Sequence, residues 1–173
     1  MTSWGTVPAE RAIPLPCDAV MPEPDLVLHR AVDVTAPAEL TFRWLCQLRV
    51  APYSYDLLDN RGRRSPRTLT PGLDELAVGQ RVSTIFRLVS FEPGRHITLD
   101  LDDPRGLRLF GRVAITYAVQ PRGPAASRLL VRLRTAGVGR LRRTALAWGD
   151  LVMMRKQLRT LATRAERDAA AAR

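Results

Sequence analysis

Between residues 80 and 134 the chain repeats one pattern four times: a segment of alternating apolar and polar side chains, then a short connection. Successive side chains of a β-strand point to opposite faces, so each segment predicts a strand with one buried face. The short connections favour an antiparallel meander, because parallel neighbours need a long crossover. We predict strands at 80–91, 96–101, 109–119 and 128–134, with turns at 92–95, 102–106 and 121–126. Gly111, on the apolar face, predicts a bend or a close backbone approach.

The C-terminal segment changes to a period of three to four residues. Its apolar residues recur at helical spacing over about 143–167, which predicts a helix of roughly 35 Å, long enough to cross the sheet. Gly149 interrupts this helix at a cost of about 1 kcal/mol relative to alanine. It marks a crossing point or a place where a ligand needs room. The apolar stripe consists of Trp148, Leu151, Met154, Leu158, Leu161 and Ala165.

One strand and one helix are predicted before the meander. Residues 26–34 alternate as a strand, although Arg30 interrupts the apolar face and suggests a position at the end of the sheet or a partly open one. Pro37 and Glu39 suit the first turn of a helix that carries Trp44 and ends before Pro52. Residues 53–78 are irregular and polar at first, with room for a second short helix around 54–59.

The N-terminal 24 residues contain five prolines. Proline fixes φ and removes a backbone donor, so this segment predicts an extended arm, either strapped onto the domain or disordered. A chain of 173 residues with 46% hydrophobic content suits one domain with a sizeable core. We expect an arm at 1–24, a single domain at 25–168 and a disordered alanine-rich tail at 169–173.

The formal net charge of +10 lies entirely in the C-terminal third. Residues 1–119 carry 14 arginines and 14 acidic residues, whereas residues 120–173 carry 13 basic residues against three acidic ones. A localised positive field attracts nucleic acid, anionic lipid or an acidic partner. Only Lys156 is a lysine, and such arginine-rich usage is also typical of any solvated surface written by a GC-rich genome.

The segment 28–39, Leu-His-Arg-Ala-Val-Asp-Val-Thr-Ala-Pro-Ala-Glu, leads a strand directly into an A-P-x-x helix start. Trp44 lies where such helices often carry an aromatic anchor, and an amphipathic helix follows the last strand. Over about residues 25–168 this order resembles the helix-grip (SRPBCC) superfamily of START-related lipid-transfer domains, pollen-allergen-like proteins and polyketide cyclases. One departure is the length of the polar stretch 53–78.

The resemblance implies an α+β fold in which a curved antiparallel sheet of six or seven strands grips the long C-terminal helix. One or two short helices follow strand 1, and sheet and helix enclose a cavity for a hydrophobic ligand. Fold alone does not specify the ligand.

Pockets for small molecules are usually apolar with a few placed polar groups. The polar groups expected at this cavity are Tyr117 by strand parity, Asp150 on the helix, and Tyr53 and Tyr55 near its mouth. Asp150 either contacts the ligand or pairs with an arginine such as Arg112. The expected apolar lining is Trp44, Phe86, Ile97, Leu99, Val113, Ile115, Leu129, Val131, Trp148, Leu151 and Met154.

We therefore expect binding of a small, largely apolar molecule, lipid-, polyketide- or isoprenoid-like, between the sheet and the C-terminal helix. The first alternative is a polyketide cyclase or dehydratase that uses Tyr55, Tyr117 or Asp150 as acid or base. General acid–base catalysis most often uses histidine, and both His29 and His96 fall on the outward face of their strands.

The second alternative is a surface for nucleic acid or an acidic partner, built from basic residues of the C-terminal third. Base stacking needs exposed aromatic side chains among the charges, and residues 128–143 contain none, so nucleic acid is the weaker of these predictions. The residues are Arg128, Arg132, Arg134, Arg140, Arg142 and Arg143.

Neither metal nor cofactor is expected, because Cys17 and Cys46 are isolated and form no cysteine–histidine cluster. No run approaches the roughly 18 apolar residues of a membrane span, and no basic and apolar leader pattern is visible. We therefore expect a cytoplasmic protein without a transmembrane segment. The sequence leaves its oligomeric state open.

Overall fold

The computed structural model describes residues 2–55, 62 and 64–172. The helices and strands of this part of the chain are, in order, β1 (Ser3–Trp4), α1 (Pro8–Ala12), α2 (Pro16–Val20), β2 (Leu26–Val34), α3 (Ala38–Cys46), a 3₁₀ turn (Gln47–Arg49), β3 (Arg81–Val82), β4 (Phe86–Glu92), β5 (His96–Leu101), α4 (Pro104–Phe110), β6 (Arg112–Pro121), β7 (Ser127–Ala136) and α5 (Arg140–Ala171). The helix predicted around 54–59 falls largely outside the described residues.

Seven strands form one open mixed sheet in the order β1-β2-β7-β6-β5-β4-β3. The predicted meander is confirmed: β4, β5, β6 and β7 pair with their neighbours antiparallel, as does β2 with β7. The short strand β1 pairs parallel to β2 and makes the sheet mixed. The predicted α+β architecture, with a sheet of six or seven strands and a long C-terminal helix, is confirmed.

The inner face of the sheet packs against α3 and α5. Strand alternation brings the apolar side chains of β5, β6 and β7 into register on this face, for example Leu99 beside Ile115 and Ile115 beside Leu133. They join Trp44 and Leu158 in a single hydrophobic cluster. This burial is the main stabilising term for such a fold.

Helix α5 has 32 residues, so it is roughly 48 Å long and extends beyond the predicted 143–167 at both ends. It remains helical to Ala171, within the segment expected to be a disordered tail. Leu158, Leu161 and Ala165 of the predicted stripe are buried. Trp148 is 52% exposed, so its inclusion in the buried stripe was wrong.

Two predicted elements have different boundaries in the structure. The segment 80–91 is split into β3 and β4, because Ser83 and Thr84 adopt positive φ angles of 47° and 62° that break the ladder. The predicted turn at 102–106 opens helix α4, whose first turn holds Pro104 and whose N-cap Asp103 accepts a bond from Gly106 N at 2.7 Å.

Gly111 ends α4 with a φ of +69°. A Cβ at this position would lie 2.4 Å from the carbonyl oxygen of Ala136. The close backbone approach predicted for Gly111 is therefore present, and it brings α4 against the connection between β7 and α5.

The proline-rich N-terminal segment is not uniformly extended. Pro8 and Pro16 occupy the first turns of α1 and α2, where the missing backbone donor costs nothing. These helices lie across the outer face of the sheet, where Leu15 and Cys17 cover Ala114 and Ala118. The N-terminal segment thus forms a second cover for the sheet.

This N-terminal cover neutralises arginines that the sequence analysis placed on an open surface. Arg128 Nε lies 2.8 Å from Glu10 Oε1, and Arg132 and Arg134 each contact a carboxylate oxygen of Asp18 at 2.5 Å. The proposed nucleic-acid surface is wrong for these arginines, because strand parity directs them toward an acidic cover. Arg143 pairs with Asp25, which leaves only Arg140 and Arg142 of that set exposed.

We expect Asp18→Asn to lower the free energy of unfolding by about 2 kcal/mol, because hydrogen bonds to charged groups are worth roughly 1.5–3 kcal/mol. Urea titration would measure the change. The matched control is Asp102→Asn, whose pair with Arg87 is about half exposed and should be worth less than about 1 kcal/mol. Equal losses in the two variants would contradict the stabilising role of the N-terminal cover.

Candidate functional site

The structure brings most of the predicted lining residues together on the inner face of the sheet. Phe86 packs there against the hydrophobic cluster, in which Tyr53 and Trp44 are fully buried, whereas Leu151 is only partly buried on α5. The remainder belong to the same hydrophobic cluster: Ile97, Leu99, Val113, Ile115, Tyr117, Leu129, Val131 and Met154. Two predicted residues lie elsewhere, since Trp148 is 52% and Tyr55 is 40% exposed.

A buried ion pair interrupts this apolar interior. Arg30 Nη2 lies 2.7 Å from Asp150 Oδ2, and the two side chains are 1% and 11% exposed. Arg30 Nη1 also donates to the carbonyl oxygens of Thr2 and His29 at 3.0 and 2.9 Å. From the sequence, Asp150 was predicted either to contact the ligand or to pair with an arginine such as Arg112. The partner is Arg30, the residue that breaks the apolar face of β2.

The environment of Asp150 favours its neutral form more than water does. Burial raises the pKa of Asp150 to about 6, although the Arg30 guanidinium acts in the opposite direction. Burial and the Asp150 charge also raise the pKa of Tyr117, which keeps its hydroxyl proton at neutral pH. Asp150 is therefore a carboxyl that titrates near neutrality inside the fold.

A chain of hydrogen bonds extends from Tyr117 to the segment that follows the 3₁₀ turn after α3. The Tyr117 hydroxyl donates to Gln157 Oε1 at 2.8 Å, and Gln157 Nε2 donates to the carbonyl oxygen of Pro52 at 2.6 Å. Gln157 is buried on the inner face of α5 and was missed by the sequence analysis. The sequence contained one indication that Gln157 is buried, namely its position next to Leu158 within the apolar stripe.

Trp44 and Tyr53 hold α3 to the C-terminal half of α5. Trp44 Nε1 donates to Asp168 Oδ2 at 2.9 Å, and its ring meets that of Tyr53 edge to face with centroids 6.0 Å apart. Such a contact adds to burial energy. The two residues expected at the pocket therefore also fasten the helix to the fold.

The packing of α5 changes along its length. In its C-terminal half Leu158, Leu161 and Ala165 are at most 2% exposed. In its N-terminal half Leu146 and Leu151 are only partly buried, while Ala147 is 5% exposed. Asp150 lies within the N-terminal half, between Leu146 and Leu151, so it belongs to the less tightly packed part of the helix.

Two grooves lie on the described surface. The first, about 640 Å³, lies between Tyr55 and outward residues of α5 such as Lys156 and Thr163. The second, about 710 Å³, lies between the N-terminal cover and the β5–β6 edge and includes His96. The inner-face side chains line neither groove and instead pack against one another.

Both histidines lie on the outer face, as predicted by strand alternation. Burial and the nearby Arg132 lower the pKa of His29 to about 4, and burial lowers that of His96. Neither ring reaches the inner polar groups, which lie across the sheet. Among the described residues, no group of three His, Cys, Asp or Glu side chains could hold a metal ion.

No protein-family model matches the chain, and no curated protein matches it. Solved structures match it. A Thermobifida fusca protein solved by NMR superposes with a TM-score of 0.57 at 15% identity, over 82% of this chain and 93% of that one. The chain has the helix-grip fold.

Two further helix-grip structures carry functional names. The Zhui aromatase/cyclase from Streptomyces sp. R1128 superposes with a TM-score of 0.54 at 15% identity, over 84% of this chain and 96% of that one. The di-domain ARO/CYC BexL from the BE-7585A biosynthetic pathway gives 0.52 at 13% identity, over 81% of this chain and 46% of that one. At such identities these similarities establish the fold.

The hydropathy of the helices bears on membrane insertion. Across the part of the chain that the structure describes, every helix, α5 included, is too short or too polar to cross a bilayer.

We expect the pKa of Asp150 to leave a signature in the stability of the protein. An aspartate that titrates near 4 when unfolded and about 6 when folded binds more protons in the folded state between these values. The unfolding free energy should therefore fall by roughly 3 kcal/mol as pH rises from about 4 to about 6. The wild-type-minus-Asp150→Asn difference in urea titrations isolates this contribution.

A difference that rises with pH over this range would contradict the raised pKa. A companion series tests the ion pair itself. Arg30→Met alone should destabilise the protein by about 3–5 kcal/mol, because it leaves a buried charge without a partner. The double variant Arg30→Met/Asp150→Leu should recover most of that loss.

Proposed function

We propose that this protein binds a small, largely apolar molecule between the sheet and the N-terminal half of α5. A polar group of that molecule would contact Asp150 and Tyr117. The proposal rests on the buried Arg30–Asp150 pair in an otherwise apolar interface, where the Asp150 charge acts on Tyr117. Apolar surroundings with a few convergent polar groups are typical of sites for small molecules.

The energetic cost of the Arg30–Asp150 pair supports a functional role. Removing two charges from water costs several kcal/mol per ion, and hydrophobic replacements of buried pairs are often neutral or stabilising. The pair is therefore expected to contribute little net stability to the fold. A strongly perturbed carboxyl at an internal interface is a candidate for ligand recognition.

Ligand entry requires movement, because side chains fill the inner face. The N-terminal half of α5 is the element most able to move, since Leu146 and Leu151 are only partly buried. Gly149 lowers local helix stability by about 1 kcal/mol. A Cβ there would meet nothing within 4 Å, so packing does not require glycine at this position.

Binding fits the geometry better than acid–base catalysis. The Tyr117 proton is donated to Gln157, and the Asp150 carboxylate is held by Arg30. A general acid or base would have to exchange its proton with the substrate, whereas contact with a bound ligand leaves the Arg30–Asp150 and Tyr117–Gln157 interactions in place. The aromatase/cyclase named above shares the fold and supports a site in this region, whatever its chemistry.

The first test combines native mass spectrometry of gently purified protein with titration by N-phenyl-1-naphthylamine, a neutral apolar fluorophore. We expect a copurified apolar molecule or saturable probe binding. Leu133→Trp, on the inner face beneath the N-terminal half of α5, should weaken probe binding at least about tenfold by filling the space.

The matched control is Leu109→Trp, which places the same side chain on α4 at a position that is 60% exposed. Its probe affinity should remain at the wild-type value, and thermal melts would verify that both variants fold. Undiminished binding by Leu133→Trp, or no saturable binding by the wild type, would contradict the proposed site. Chemical conversion of a copurified molecule would instead support the cyclase alternative.

A further inference from the structure

The solvent-facing side of α5 carries large apolar side chains that the fold does not cover. Leu141 is 87% exposed, Trp148 52% and Val152 49%. Their spacings of seven and four residues place them on one side of the helix. Contiguous exposed apolar surface of this kind marks an interaction site.

Along α5 the same side carries exposed positive charge. Between residues 140 and 165 the one acidic residue is Asp150, and it points inward to Arg30. The exposed cations of this stretch are Arg140, Arg142, Arg155, Lys156 and Arg159. Among the described residues none of them has a salt-bridge partner. We call this surface, with Leu141, Trp148 and Val152, the outer face of α5.

Two of these cations are held in place by Trp4 of β1. The guanidinium carbons of Arg155 and Arg159 both lie 5.6 Å from the centre of the Trp4 ring. Cation–π contacts of this kind restrict the arginine side chains without neutralising their charge. The outer face therefore presents ordered positive charge next to exposed hydrocarbon.

We propose that the outer face of α5 docks on an anionic lipid surface. A helix lying in a bilayer interface inserts tryptophan and aliphatic side chains below the headgroups, while arginine and lysine contact the anionic headgroups. The outer face offers this combination over roughly 27 Å from Leu141 to Arg159. It is independent of the interior site, since Asp150 and Tyr117 lie on the opposite side of α5.

Lipid fits this face better than nucleic acid does. A nucleic-acid surface uses aromatic rings as stacking platforms among basic residues. Here Trp148 is accompanied by two exposed aliphatic side chains, Leu141 and Val152, which cannot stack on bases. Aliphatic exposure next to arginine is instead what the boundary between headgroups and acyl chains accommodates.

The test is cosedimentation of the full chain with vesicles of phosphatidylcholine alone or with 30% phosphatidylserine. We expect binding that depends on phosphatidylserine and weakens when salt is raised to 0.5 M, because screening removes the electrostatic attraction. Leu141→Ala/Trp148→Ala and Arg155→Gln/Lys156→Gln/Arg159→Gln should each lower the vesicle partition constant at least about tenfold.

The matched controls lie on α4, where Leu109→Ala removes one exposed leucine and Arg105→Gln/Arg108→Gln removes two exposed cations. These variants should partition like the wild type. Equal binding to both vesicle types, or unaffected binding by the outer-face variants, would overturn the proposal. So would a duplex DNA oligonucleotide that binds in the absence of vesicles and displaces the protein from them.

Failure of vesicle binding would leave the interior site untouched. Outer-face variants should bind N-phenyl-1-naphthylamine with the wild-type affinity, because their side chains do not contact the inner face of the sheet.

Discussion

Both faces of the central sheet are buried, and this burial determines where the helices and the charged side chains lie. Alternation along β5, β6 and β7 sends one set of side chains toward α3 and α5 and the other set in the opposite direction. The outer set includes Arg128 and Arg132, which are at most 10% exposed and would be costly without partners. Glu10 and Asp18 supply those partners, so the N-terminal segment completes the fold.

On the inner face, burial of the sheet leaves one arginine charge that needs a partner. Arg30 occupies an inward position of β2, and Asp150 of α5 is the acidic group that neutralises it. This pair joins the helix to the sheet within the less tightly packed N-terminal half of α5, so opening of that half requires the pair to separate. The pair therefore marks where an entering molecule would meet polar groups.

Local sequence patterns predicted the strands and helices whose conformation depends mainly on neighbouring residues. The alternation of 96–101 predicted β5 at its observed boundaries, and helical spacing predicted most of α5. The helix α4 was missed because Pro104 and Gly106 suggest a turn, whereas in the structure Asp103 caps a helix that continues to Phe110.

The sequence patterns did not predict which charged residues, distant along the chain, pair with each other. Arg30 was recognised as an anomaly and Asp150 as a candidate, but 120 positions separate them and no local pattern joins them. The same holds for Asp18, whose partners Arg132 and Arg134 were placed on an open surface. Trp148 was misplaced because it lies just outside the buried stripe, where helical spacing alone does not distinguish the two sides.

We infer that the N-terminal half of α5 opens to admit an apolar molecule while the C-terminal half stays fixed. Residue-resolved amide hydrogen exchange tests this inference, because it reports local opening. We expect the amides of residues 144–153 to exchange at least about a hundredfold faster than those of 157–168, and N-phenyl-1-naphthylamine to slow the first set alone. Equal protection along the helix, or no change on adding the probe, would contradict it.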